Sequence, residues 1–399
     1  MDPASDHTDF TMGSISAANA EFCFDLFREL KPEHVNENIV YSPLSIIAAL
    51  AMVYLGTRGN TALQVEKVLH FDELTGLEDP SITEHGKPKG IHFKFKDLLL
   101  EINSHSANYT LRMANRLYAE KTYSILPQYL KSTNKLYQAG LESVDFKNAA
   151  EESRRIINSW VENQTNGLIK DLFGTGSIDT SMALVLVNAI YFKGKWNKEF
   201  EEENTKEMPF RINQQETKPV QMMHQAGFFK IASIGSEKIQ ILELPYANEE
   251  LSMIILLPND ISDLDQLENT INFDKLMAWT SSTNMRKRKV EVYLPRMKLE
   301  EQYSLAPVLS SLGMTDLFTQ SADLSGISTG RNLAVSEVIH KSYMEVNEEG
   351  TEAAAATGVN IVLMSYVFPI KFKADRPFLF FIHHKKTNLI LFYGRFSSP

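Results

Sequence analysis

The sequence predicts an α+β protein built as one domain, and three observations carry that expectation. The first third reads as helices and the part after residue 182 reads as strands, the segregated order of an α+β chain. No internal repeat and no Pro/Gly/Ser linker divides the 399 residues, so length alone does not argue for a second domain. Composition is globular, with 43% hydrophobic and 23% charged residues, which excludes a disordered, collagen-like or low-complexity chain.

The elements follow in order. Residues 14–27, SISAANAEFCFDLF, space their apolar side chains at helical intervals. Residues 41–56, YSPLSIIAALAMVYLG, are apolar nearly all round and mark a buried helix. Ser42 can cap it, Pro43 suits its first position and Gly56 ends it. Residues 72–90 are polar and turn-rich and read as an exposed loop. A further helix is expected from Glu151 to Leu172, with Trp160 on its apolar side. Residues 183–192, ALVLVNAIYF, are too continuously apolar for a half-exposed strand and suit a buried central one. IQILELPY from Ile239, LSMIILLP from Leu251 and VEVYLP from Val290 are strands, each closed by a proline. Near the C-terminus PFLFFI from Pro377 and LILFYG from Leu389 flank a basic turn and suggest a hairpin.

Charge and composition narrow the function. The formal net charge of −10 disfavours a dedicated nucleic-acid binder. Cys23 is the one cysteine, so no intramolecular disulfide can form, which leans towards a reducing compartment. The N-terminus carries acidic residues where a signal peptide needs a positive start, and no window approaches the length of a membrane span. A cytoplasmic protein is expected, with secretion that uses no cleaved signal peptide left open. The sequons at Asn108 and Asn163 would then be unused.

Enzymatic signals are missing. There is no Gly-x-Ser-x-Gly elbow, His-Glu-x-x-His helix, phosphate loop or dinucleotide glycine pattern. No cofactor, metal or catalytic residue is expected. His383 and His384 read as a solvated turn beside Lys385 and Lys386, and Cys23 as packing. Arg286-Lys287-Arg288-Lys289 is the one dense basic cluster. It reads either as a solvated strand edge or as a local polyanion contact.

One segment fits no ordinary element. Residues 348–368, EEGTEAAAATGVNIVLMSYVF, place four alanines before a β-branched run that no helix would continue well. Together with other blocks it makes the chain resemble the serpin family, in its ovalbumin-like intracellular branch. The blocks are Tyr41-Ser-Pro-Leu-Ser45, Asn188-Ala-Ile-Tyr-Phe-Lys-Gly-Lys-Trp196, Glu349 to Ala356, Phe372 to Ile382 and Thr387 to Arg395, and the start at Met12-Gly-Ser-Ile-Ser with the terminal Ser-Ser-Pro resembles that branch. They span residues 12–399, implying one serpin domain preceded by an extension, residues 1–11, with no recognised counterpart.

The resemblance implies about nine helices and three β-sheets with an exposed reactive-centre loop. It implies a suicide inhibitor of serine proteases, whose cleaved loop inserts into the main sheet and traps the acyl-enzyme. The alternative within the family is a non-inhibitory member with a storage, carrier or chaperone role. The target would be a chymotrypsin-, elastase- or cathepsin G-like enzyme and the inhibitor a monomer, with no membrane or nucleic-acid partner.

Counting seventeen residues from Glu348 as the family does makes Met364–Ser365 the reactive bond, with Leu363 and Tyr366 as alternative bait residues. The loop hinge would comprise Glu348, Gly350, Thr351, Ala353, Ala354, Ala355 and Ala356. As an inserted strand, Thr351, Ala353, Ala355, Thr357, Val359 and Ile361 would face inward, an uncharged set, with Glu352 outward. Gly350 is expected to permit a backbone reversal. Ser42, Ser45, Asn188 and His340 match the family's shutter, a buried polar cluster where the sheet opens. Trp196, Arg296 and Glu348 match its breach, at the top of that opening.

Overall fold

In a computed structural model, residues 3–74, 90–104, 106–351 and 368–399 are described, with side chains from Ile15 onward. The described helices are α1 (Pro3–Leu30), α2 (Pro43–Tyr54), α3 (Gly59–Val68), α4 (Gly90–Ile102), α5 (Pro127–Tyr137), α6 (Ala150–Gln164), α7 (Leu264–Thr270), α8 (Phe273–Trp279) and α9 (Ala306–Leu312). The strands are β1 (Ile39–Tyr41), β2 (Tyr109–Glu120), β3 (Leu141–Val144), β4 (Leu184–Gly194), β5 (Lys206–Arg211), β6 (Thr217–Ile234) and β7 (Ile239–Pro245). They continue with β8 (Leu251–Pro258), β9 (Arg286–Pro295), β10 (Met297–Ser304), β11 (Val335–Val346), β12 (Ile370–Lys373), β13 (Phe378–His384) and β14 (Leu389–Phe396).

The class is α+β, though the order along the chain is more mixed than the sequence suggests. β1 to β3 lie among the early helices, and α7 to α9 fall late. The three expected sheets form two hydrogen-bonded units. One has five strands in the order β10-β11-β4-β2-β3. In the other, the 18-residue β6 runs through two regions, pairing with β5 and β9 along its first part and with β7 at its end. The long strand thereby welds two sheets into one nine-stranded unit.

β4 explains its own composition. The main core covers one face, and Ile157 and Val161 of α6 pack with Val185, Val187 and Ala189 on the other. A strand buried on both faces has no polar alternation to show. α2 is buried along its whole length. Ser42 accepts from the Ser45 backbone N–H at 3.2 Å, Pro43 follows it, and the helix stops at Tyr54 before Gly56.

Two local readings change. The helix expected to Leu172 ends at Gln164, because Asn166 and Gly167 turn into the left-handed region and Gly167 N–H bonds back to Glu162 O at 2.7 Å. His383 and His384 end β13 rather than forming a solvated turn. His384 is buried against Thr387 Oγ1 at 2.6 Å, and His383 meets Asn388 Oδ1 at 2.5 Å. Apolar neighbours on both sides of the hairpin drew the pair into the sheet. Of the expected loop at 72–90, residues 75–89 lie outside the described residues.

Candidate functional site

The structure brings the predicted polar residues together at two places on one line, the junction between β4 and β11. These strands are parallel neighbours, and their register sets His340 opposite Asn188. The N-terminus of α2 abuts this point. The Ser42 backbone N–H donates to His340 Nε2 at 3.1 Å, while His340 Nδ1 meets Asn188 Oδ1 at 2.6 Å. Ser45 Oγ donates to the same Asn188 oxygen at 2.9 Å.

These partners specify one tautomer. Nε2 must be the acceptor, so Nδ1 carries the proton and donates to Asn188. His340 is fully buried, and desolvation pushes its pKa down from 6.5 to about 3. The imidazole is therefore neutral at physiological pH. Every polar group of this clasp has a partner, the condition for holding polar side chains in a core.

The second place is where the chain leaves β11. The backbone there runs beside residues 196–200: Trp196 N–H donates to Glu349 O, Phe200 N–H to Glu348 O and Thr351 N–H to Trp196 O, each at 3.0 Å. Thr351 Oγ1 adds a bond to Asn197 O at 3.2 Å. The Trp196 indole donates to Asn347 O at 2.7 Å and stacks on Tyr246, with centroids 4.4 Å apart and planes 7° from parallel. Gly194 leaves room for that ring, since a Cβ there would lie 2.6 Å from Tyr246.

Charge secures the same junction. Arg296 approaches Oε1 of the buried Glu348 through Nε at 2.9 Å and Nη2 at 2.7 Å, and Thr205 Oγ1 donates to that oxygen at 3.2 Å. Glu349 lies 3.3 Å from Lys193. Gly350 differs from its expected role. It does not occupy the left-handed region, and what demands glycine is proximity: a Cβ would fall 2.6 Å from Glu199 Cα.

Ala353, Ala354, Ala355, Ala356, Leu363, Met364, Ser365 and Tyr366 lie outside the described residues. Sequence reasoning missed Tyr246, Phe200 and Thr205, which brace the junction. Tyr246 alone left a signal, as an aromatic directly after the proline that closes β7. Among the described residues no group of His, Cys, Asp and Glu could hold a metal ion. Neither place pairs a nucleophile with a base, so the arrangement can hold a sheet closed and anchor a departing segment.

Comparison with known proteins gives a consistent match. The family model described as "Serpin (serine protease inhibitor)" matches residues 17–399. Ovalbumin of Dromaius novaehollandiae is 55% identical over 97% of this chain and 100% of its own length. Serpin B11 of Homo sapiens is 50% identical over the same shares. The crystal structure of uncleaved ovalbumin superposes with a TM-score of 0.89 at 49% identity, covering 97% of this chain and 100% of that one. A loop-inserted structure of a cleaved ovalbumin mutant gives 0.85 at 48% identity, with the same coverage.

Proposed function

The chain belongs to the serpin family, and from that premise we propose that it is a suicide-substrate inhibitor of serine proteases. The segment that follows Thr351 serves as its bait, and Met364–Ser365 is the scissile bond. The observation that carries the reading is the parallel pairing of β4 with β11, whose C-terminal end leads straight into the bait. A segment that leaves β11 and folds back between the two strands runs antiparallel to both. One parallel ladder is then replaced by two antiparallel ladders, the stronger kind per residue.

The gain is large enough to drive a trap. A net addition of roughly ten backbone hydrogen bonds at about 1 kcal/mol each supplies on the order of 10 kcal/mol. A single unpaired charge on the inward face would cost several kcal/mol and stall entry. Thr351 is uncharged, and its two hydrogen bonds, to Trp196 O and Asn197 O, hold the leading residue at the mouth of the junction. The loop-inserted ovalbumin, cleaved and carrying threonine in place of an arginine, supports insertion as a property of this fold.

In this reading the clasp of Ser42, Ser45, Asn188 and His340 keeps the sheet closed until cleavage. Arg296, Glu348 and Trp196 fix where the loop begins. Methionine before the scissile bond suits an apolar primary pocket, and Leu363 and Tyr366 offer a branched and an aromatic alternative to a chymotrypsin-like enzyme.

The test mixes the protein with chymotrypsin, neutrophil elastase and cathepsin G, followed by denaturing electrophoresis and mass spectrometry. A covalent band at the summed mass and cleavage after Met364 are expected. Thr351→Arg should convert trapping into plain cleavage. Clean cleavage of the native chain by all three enzymes, with no such band, would reassign it to the non-inhibitory members.

A further inference from the structure

The clasp grips the seam between β4 and β11 from one face only. Asn188 and His340 turn towards the start of α2. Three residues further along both strands stand Tyr191 and Tyr343, opposite one another in the same register. An odd step along a strand reverses the side chain, so this pair lies on the other face. Tyr191 is buried there with Val185, Val187 and Ala189, in the cluster that α6 covers, and Tyr343 packs against that cluster.

The two rings stack across the seam, with centroids 5.1 Å apart and planes 26° from parallel. Tyr191 Oη also donates across it, to Glu345 Oε2 at 3.3 Å. Burial and that carboxylate push the Tyr191 pKa up to about 12, so the hydroxyl keeps its proton. Further along the same face, Lys193 of β4 meets Glu349 at 3.3 Å. Side chains of β4 therefore reach across at residue 188 on one face and at residues 191 and 193 on the other.

The ring contact exists only while the two strands are neighbours. A strand entering the seam would move β4 and β11 from about 4.8 Å to about 9.6 Å apart. Aromatic rings attract one another at centroid separations of about 4.5–7 Å, so the stack would be lost entirely. A contact present in one state and absent from the other biases the molecule towards the first. By the alternation counted from Thr351, the first four bait positions on this face are Glu352, Ala354, Ala356 and Gly358. Three of the four are small enough to lie between parted rings.

We propose that Tyr191 and Tyr343 are positioning residues for loop insertion: they staple the seam from the face opposite the clasp, and the parting of their rings raises the barrier to an entering strand. The assignment rests on the inhibitor reading. A ring stack suits a seam that must hold and then open once. The stack itself leaves no polar group unpaired when it parts, and both ring faces can pack against the strand that enters. The clasp on the other face holds by hydrogen bonds, whose partners must be exchanged as the sheet opens.

The experiment follows uptake of a synthetic strand, the peptide TEAAAATGVNIV of residues 351–362, by the intact chain, read on native gels. Tyr343→Ala should take it up about twofold to tenfold faster than the native sequence, the factor that one aromatic pair is worth. Tyr343→Phe keeps the ring and should restore the native rate. If the alanine variant does not fold, Tyr343→Leu keeps bulk without the ring and should also be faster. A second readout is the thermal midpoint before and after cleavage of the bait. The loss caused by Tyr343→Ala should be larger in the uncleaved chain than in the cleaved one, whose rings are already parted. Equal losses in the two forms would make the pair ordinary packing and overturn the assignment, as would uptake no faster than that of the native sequence. A native chain that takes up no peptide and gains no stability on cleavage would overturn insertion itself, and the staple with it.

Discussion

His340 holds the clasp through one proton, and its titration gives the clasp a pH dependence with a definite sign. Its pKa is about 3 in the folded chain against 6.5 when unfolded. Between those values the unfolded chain binds a proton that the folded one refuses. Stability from this group is therefore complete above about pH 6.5 and is lost as pH falls towards 3, with a slope of at most about 1.4 kcal/mol per pH unit. Protonation would also turn Nε2 from the acceptor of Ser42 N–H into a second donor facing a donor. We expect the thermal midpoint of the native chain to fall more steeply from pH 6.5 to 4 than that of His340→Gln, which keeps one donor and one acceptor. Parallel slopes would exclude His340 as the cause. Little of this was legible residue by residue. Ser42 announces itself as a helix cap, but Asn188 sits inside an apolar run and His340 inside an unremarkable strand. Only the register of two strands distant in sequence makes them neighbours. Gly350 was legible as a required glycine, though the reason, contact with Glu199, was not.

At the scale of elements, the long apolar runs were the most readable. β4, β8, β13 and β14 stand where their continuous hydrophobicity placed them, because burial on both faces leaves a signal that needs no partner to interpret. Short strands were not readable. β1, β3 and β12 have three, four and four residues, too few for a period to show, and they exist because neighbours supply their pairing. The merging of two sheets through β6 was equally hidden, since nothing in an alternating strand says how many partners it meets along its length. The five-stranded sheet bears its own expected outcome. If the bait enters between β4 and β11, cleavage at Met364–Ser365 should raise the thermal midpoint by tens of degrees. Calorimetry before and after limited proteolysis reads this directly. With Thr351→Arg the rise should be much smaller, and an unchanged midpoint in the cleaved native chain would show that no strand is added.

For the whole molecule, the family and the class could be read early because the matching blocks are spread along nearly the entire chain. The clasp and the loop anchor could be named only by resemblance, since Ser45 and Asn188, Asn188 and His340, and Trp196 and Asn347 are each more than 140 residues apart, and Arg296 and Glu348, 52 apart, share no local pattern. The position of the final two strands has a further consequence, for folding. β14 lies between β1 and β13, and β13 lies between β14 and β8, so two strands from late in the sequence join the early strand β1 to the rest of the nine-stranded sheet. Without them β1 has no strand partner, and α2, which packs against β4 and β2 as well, loses its contact with β14. The clasp that α2 helps to form should therefore be loose in a chain that lacks β14. A chain ending at Lys386 should therefore stay protease-sensitive throughout, whereas the chain that carries β14 should become resistant. Resistance in the chain ending at Lys386 would mean that the sheet does not wait for β14.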